Sequence, residues 1–184
     1  MSPFRPDLVE CWVFRLPVVG RPEVLLLRRA APSIWPGLWQ PVTGHLDPGE
    51  RAPLAALREV AEEVGIGPAE TEAFYDLDEV RLFYDEDPDG ILAAVVFALR
   101  ARTDAVPRLS VDHDAMRWLA LDEALEEVTW PSYPGTLHAI ASHLVEPERA
   151  RWFELDGAGR RLARAPRVAA APGSPARPGS ATGR

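Results

Sequence analysis

The sequence predicts a mixed α/β (α+β) domain in which helices cover both faces of one mixed sheet. Three features of the chain lead there. Strand-like apolar runs open the sequence and recur beyond its middle, at 8–16, 23–29 and 90–101. A single helix-period segment, about 51–64, stands between strands. A second apolar helical stripe comes late, at 134–145.

Taken in order, "LVECWVFRL" (8–16) and "EVLLLRR" (23–29) read as strands joined by the Pro/Gly connection "PVVGRP". "APSIWPGLW" is a loop broken by two prolines, and "WQPVTG" (39–44) a short strand. "HLDPGE" turns on Pro48 and Gly49. The helix that follows accepts Pro53 in its first turn, where the missing N–H has no intrahelical partner, and stops at Gly65. "EVRLFY" (79–84) and "GILAAVVFALRA" (90–101) flank the acidic turn "DEDPDG". The second run is nearly all apolar, as a central strand covered on both faces should be. "MRWLAL" (116–121) is a further strand. Asp122 is placed to cap the short helix "EALEEV", and 134–145 carries Leu137, Ile140, Ala141 and Leu144 on one stripe.

At 184 residues the chain fits one domain plus a tail. We assign 1–156 to the domain and 157–184 to an Arg/Pro/Ala/Gly-rich tail, whose last part, 166–184, has a disordered composition. "RWFELDGAGRRL" reads either as a hairpin around Asp156 and Gly157 or as the root of that tail. The tail holds six arginines and no acid, so the first 156 residues carry a net charge of −14 within a chain of −8. A body that acidic disfavours nucleic acid and anionic membrane and attracts metal cations. Cys11 is the only cysteine, which excludes an intramolecular disulfide or a cysteine zinc cluster. No signal peptide or membrane-length apolar run is evident, so a soluble, cytoplasmic protein is expected, as monomer or homodimer.

The informative stretch is "ALREVAEEVGI" (56–66). Glu59, Glu62 and Glu63 stand near the negative end of a helix, where acids are disfavoured and where i,i+3 and i,i+4 like charges repel. At about 100° per residue, Leu54, Leu57, Val60, Ala61 and Val64 form one apolar face, with the three glutamates opposite. A divalent cation among them removes the repulsion, and oxygen-only ligation points to Mg²⁺ or Mn²⁺.

Gly44 and Glu50 complete a longer pattern. "GHLDPGERAPLAALREVAEEVGI" (44–66) matches G-x5-E-x7-R-E-U-x-E-E-x-G-U at every fixed position, U being a bulky aliphatic residue. It resembles the Nudix box of the Nudix hydrolase family. The resemblance implies an α/β/α sandwich around a mixed sheet, spanning about 8–146, and Mg²⁺-dependent hydrolysis of a nucleoside diphosphate linked to another moiety. It further implies Glu59 and Glu63 as metal ligands, Glu62 sharing or bridging, and the Gly44 carbonyl as a further ligand. Arg58 then orients carboxylates by ion pairing, and Glu50 holds Arg58 or the loop. The general base is Glu59 or an acid outside the box. Asp112 stands where related pyrophosphohydrolases carry a glutamate six residues before a tryptophan, here Trp118. Asp112 and Asp114 read equally well as ordinary loop acids, and His113 as structural.

The lead-in "WQPVTG" and the later "MRWLALDEAL" resemble the dATP / dihydroneopterin triphosphate pyrophosphohydrolase subgroup. A nucleobase or pterin needs an aromatic platform and an amide to read its edge. Trp39 and Gln40 suit these roles, though core packing accounts equally for Trp39. Trp35 and Trp130 are further aromatic candidates, and Arg28 and Arg29 are candidates for phosphate contact. The expected partner is therefore a small nucleotide-like substrate, a (d)NTP or dihydroneopterin triphosphate cleaved to release pyrophosphate. Dinucleoside polyphosphates or nucleotide-sugars are the alternative substrates, and a non-catalytic nucleotide sensor is the alternative of another class.

Overall fold

The structure, a computed structural model, describes residues 4–87 and 89–163. The expected tail beyond Ala163 lies outside the described residues. The elements are β1 (Leu8–Arg15), β2 (Glu23–Arg29), β3 (Trp39–Gln40), β4 (Val42–His45), α1 (Ala52–Val64), β5 (Thr71–Asp85), β6 (Gly90–Ala101), β7 (His113–Ala120), α2 (Leu121–Glu127), α3 (Tyr133–Ala139), α4 (Pro147–Ala150) and β8 (Glu154–Leu155).

β1 is the axis of a mixed sheet. It pairs in parallel with β6, Leu8 opposite Ala94 through Phe14 opposite Arg100. Its other edge is shared: β4 runs antiparallel to Leu8–Cys11, and β2 antiparallel to Phe14 and Arg15. β2 also pairs with β7 and β3, while β5 joins β6 to β8. The expected strand 39–44 is thus two strands, β3 on β2 and β4 on β1. The break falls at Pro41, which has no N–H to donate to a ladder.

Alternation along β1 and β2 builds two cores, one on each face. Val9, Cys11, Val13, Leu25 and Leu27 pack with Ala55, Ala56, Val60 and Val64 of α1. Trp12, Phe14, Val24 and Leu26 pack with Ala124 of α2, Tyr133 and Leu137 of α3, and Ile140 just beyond α3. Each large side chain sealed this way contributes roughly 1.5–3 kcal/mol. Helices on both faces of a mixed sheet are what the sequence predicts.

Four elements differ in detail. α1 does not bury the face its leucines suggest: Leu54 and Ala61 are exposed, while Ala55 and Ala56 are buried. The small alanines let the helix lie close to the sheet, turned so that Glu59 and Glu63 fall inside the covered arc rather than opposite it. β5 begins at Thr71, eight residues before the expected 79, and passes a register shift between Asp76 and Glu79 where Asp78 has φ 56°. α2 begins at Leu121, so Asp122 sits in its first turn and not at its cap. The last helix changes at Ile140 from α to one π turn (Ile140–Leu144), and its wider pitch leaves Ala141 exposed while Leu137, Ile140 and Leu144 stay buried.

Residues 157–163 fold back onto the domain. Leu155 bridges Arg161 around the Asp156 turn, the hairpin alternative for this stretch. Arg161 reaches Asp76 at 2.8 Å, and Arg51 donates to the Gly159 carbonyl at 3.1 Å. The chain after β8 therefore braces the N-terminal end of α1. No helix among the described residues is long and apolar enough to cross a membrane.

Candidate active site

α1 and β4 face each other at the site. α1 keeps the expected punctuation, with Pro53 in the first turn and Gly65 closing the helix at φ 66°. Gly44 sits on β4 directly against Glu59. A Cβ built on Gly44 would lie 1.9 Å from the Glu59 Cδ, so only glycine leaves the carboxylate its place.

Arg58 organises the acids. Its Nε and Nη2 donate to the two oxygens of Glu50 at 3.1 and 2.9 Å, a bidentate grip. Nη1 donates to Glu59 at 2.7 Å and to Glu62 at 3.1 Å, and Nη2 also reaches the His45 carbonyl at 2.9 Å. Glu50 in turn accepts the Asp47 N–H at 3.0 Å. The Arg58 hydrogen bonds hold Glu50 below the usual carboxylate range, and burial raises Glu59 against the pull of Arg58. Arg58 thus offsets repulsion among Glu50, Glu59 and Glu62 and leaves Glu63 outside its reach.

Glu63 is different. Burial pushes its carboxyl up to about 8, with Glu59 and Asp112 adding to the rise, and Arg29 and the Thr43 N–H opposing it. Its Oε2 is buried with no hydrogen-bond partner. An orphaned carboxylate oxygen in an acidic pocket has the chemistry of a cation site. Among the described residues, no three His, Cys, Asp or Glu side chains stand ready to hold a metal ion. A bound ion therefore requires side-chain movement, and for Glu59 and Glu62 that means giving up hydrogen bonds from Arg58.

The remaining candidates are placed as follows. Asp112 lies beside Glu63, its carbonyl accepting the Ala30 N–H at 3.0 Å. Asp114 pairs with Arg28 at 2.6 Å. His113 is buried, and burial lowers its pKa. Arg29 donates to the Ile34 carbonyl at 2.7 Å, and its charge acts on Glu63 and His113. Gln40 is buried and donates to Thr43 at 3.1 Å, and Trp39 is 9% exposed with the Arg117 and Arg28 guanidiniums over its ring. Trp39 and Gln40 therefore belong to the packed wall of the site rather than to its open surface.

A motif, a glycine-cradled glutamate and a second glutamate with an unpaired buried oxygen now coincide on one helix and strand. The family model for the NUDIX domain matches residues 12–140. The chain belongs to the NUDIX hydrolase family. A relative in Caenorhabditis elegans, bis(5'-nucleosyl)-tetraphosphatase (asymmetrical), is 30% identical over 127 residues, 69% of this chain and 88% of that one. The solved C. elegans Ap4A hydrolase binary complex superposes with a TM-score of 0.65 at 22% identity, over 77% of this chain and 98% of that one. The Escherichia coli dihydroneopterin triphosphate pyrophosphohydrolase gives 0.61 at 25% identity, over 73% and 93% of the two chains. An octanoyltransferase of Myxococcus xanthus is 36% identical over 125 residues, 65% of this NUDIX chain but only about a third (33%) of that protein.

Sequence reasoning missed two features of this NUDIX site. The His45 carbonyl as an Arg58 acceptor carries no side-chain signal. The bracing of α1 by Ala158 and Gly159 joins residues more than 100 positions from Arg51, a contact no local pattern reports.

Proposed function

We propose that this NUDIX protein is a divalent-metal-dependent pyrophosphohydrolase acting on a nucleotide-like polyphosphate. A nucleoside triphosphate or dihydroneopterin triphosphate, cleaved to release pyrophosphate, is the leading substrate class. The observation that carries the reading is Glu63, whose buried, partnerless oxygen lies beside Glu59 and the Gly44 strand. The donor set is all oxygen, which suits Mg²⁺, with Mn²⁺ as a substitute. Glu59, Glu63, Glu62, the Gly44 carbonyl and Asp112 are the residues to hold it. Bound there, the ion neutralises phosphate charge and lowers the pKa of water.

The chain's own residues do the rest. Glu59 accepts the proton of the attacking water, with Asp112 the outside acid that could take that part. Arg58 releases and re-forms its hydrogen bonds to Glu59 and Glu62 while its grip on Glu50 anchors it. Arg29, at the end of β2, acts on Glu63 through its charge and among the described residues carries no carboxylate ion pair, so it is the arginine available to an incoming phosphate. Arg28 is held by Asp114 and must leave that pair to help.

A second substrate, a dinucleoside polyphosphate, is favoured by the similarity to the C. elegans tetraphosphatase across 88% of that protein. "WQPVTG" supports the triphosphate reading. The test is incubation with Mg²⁺ and a panel of NTPs, dNTPs, dihydroneopterin triphosphate and dinucleoside polyphosphates, with products resolved by chromatography. Pyrophosphate with a monophosphate supports the first reading. A mononucleotide with a nucleoside triphosphate, formed from a dinucleoside tetraphosphate, supports the second. Turnover of no member of the panel rejects both.

A further inference from the structure

The outer half of β5 and the start of β6 leave the body of the sheet as a two-stranded arm. β5 stays paired with β6 as far as Asp85 opposite Gly90. On its other edge, among the described residues, β8 meets only Phe74 and Tyr75, so that edge is open beyond the register shift at Asp76. One face of the arm is apolar. Val80, Leu82 and Tyr84 alternate along β5 on the side of α1, because Val80 stands opposite Val95 of the first core. Ile91 stands opposite Tyr84, and all four are between 58% and 65% exposed. A contiguous apolar patch beside an open strand edge is a surface that another chain segment covers.

The arm is acidic at both ends. Asp76 and Asp78 stand at its foot, and Asp85, Glu86, Asp87 and Asp89 at its tip. Arg81, the one basic residue between them in sequence, turns to the opposite face, toward Glu10 and Glu79. A second copy of this acidic chain laid on the arm would set acid against acid. The chain's own continuation brings the opposite sign. Arg161 already reaches Asp76 at 2.8 Å and Asp78 at 3.7 Å. It bridges Leu155 in the antiparallel sense, and β8 is antiparallel to β5, so the chain at Arg161 runs from the foot of the arm toward its tip. The sequence that follows, "RAPRVAAAP" (164–172), sets Arg164 and Arg167 among apolar residues and holds no acid. Nine extended residues reach about 30 Å, and the arm from Asp78 to Asp85 is about 23 Å long.

We propose that residues 164–172 dock along the β5–β6 arm of their own chain, Val168 and the alanines on the Val80–Leu82–Tyr84–Ile91 face and Arg164 and Arg167 on the acids. Pro166 and Pro172 suit an edge position, where a missing N–H interrupts no ladder. Docking of this kind closes the arm to a second copy. It is independent of which polyphosphate the site cleaves.

Hydrogen exchange read by mass spectrometry tests this on four full-length proteins: wild type, Arg164→Glu with Arg167→Glu, Glu86→Arg with Asp87→Arg, and the combination of all four substitutions. Glu86 and Asp87 are exposed turn residues outside both cores. Amides of 79–85 and 90–95 should exchange at least about five-fold more slowly in wild type than in either double variant, and the combined variant should regain that protection. Amides of β1 should exchange alike in all four. Salt at about 0.5 M should weaken the protection in wild type. Each protein is measured at two concentrations, with sedimentation reporting its mass. Equal exchange of the arm in all four proteins overturns the proposal, as does protection lost in the double variants and not regained on combining them. Protection that rises with concentration alongside a dimer mass also overturns it, because a second copy then covers the arm.

Discussion

Arg58 and Glu50 are joined by two parallel hydrogen bonds, Nε to Oε1 at 3.1 Å and Nη2 to Oε2 at 2.9 Å. That planar grip leaves Nη1 aimed at Glu59 and Glu62. Lysine has the charge without the fork, so it cannot hold Glu50 and serve the other acids in one geometry. Arg58→Lys is expected to fold and to lose about 10–100-fold in kcat, the scale on which supports of metal ligands act. Kinetics at saturating Mg²⁺ checks this, and a kcat within two-fold of wild type contradicts it.

Gly44→Ala tests the cradle. The atoms a new methyl meets are all on the Glu59 side chain, so the carboxylate moves and the strand need not. Stability should fall by no more than about 1 kcal/mol, while activity falls by orders of magnitude. Urea melts set beside kcat/KM separate the two effects. Loss of folding without a prior loss of activity contradicts the idea.

A buried charge network on the opposite face gives a pH prediction. Glu10 is 4% exposed and is met by the Trp12 indole N–H and by Arg81 at 3.2 Å, with Glu79, Thr136 and Tyr133 around Arg81. Burial pushes Glu10 up to about 7, against the opposing pull of Arg81. The folded state thus holds this proton to higher pH than the unfolded chain. Its stabilisation is present below the ordinary glutamate pKa and is lost as pH rises through about 7, by an amount on the order of 2 kcal/mol. Unfolding free energies of wild type and Glu10→Gln at pH 5 and pH 8 isolate the effect. Wild type should lose stability relative to the variant across that interval, and a constant difference contradicts the assignment.

The end of the described chain matters to the helix it braces. Gly159 has φ 69°, and a Cβ there would stand 2.4 Å from the Cβ of Pro53 in the first turn of α1. Gly159→Ala should cost about 1–3 kcal/mol and lower Tm by several degrees. Arg161→Ala, which removes the 2.8 Å pair with Asp76, should act in the same direction and more weakly. Melting temperatures equal to wild type for both would show that 157–163 contributes nothing to the fold.

How much of this was legible beforehand depends on the range of the contact. α1 declared itself through Pro53, Gly65 and its glutamate spacing, because caps and charge patterns are local. Its orientation did not. Periodicity names an apolar face, but Ala55 and Ala56 were chosen for burial by the nearness of β4, and that closeness is what covers Glu59 and Glu63. The first half of β5, "TEAFYDLD", alternates like a strand yet carries enough acid to read as a loop, and only pairing with β6 decides it. β8 is two residues long and exists because β5 is there to receive it. Arg81 gives no hint in sequence that it will lie beside Glu10, 71 positions away. The acids of the site were readable as a group, while their division into three served by Arg58 and one, Glu63, with a buried oxygen left unpaired depends on contacts made only in the fold.

The most direct measurement is a calorimetric titration of Mn²⁺ and Mg²⁺ into wild type, Glu59→Gln and Glu63→Gln at pH 8. Wild type should bind and gain thermal stability, and each substitution should weaken binding by at least about ten-fold while leaving the metal-free melting curve near wild type. Binding that ignores both substitutions, or no binding by the folded wild type, would contradict the assignment of Glu59 and Glu63 as the metal-holding pair.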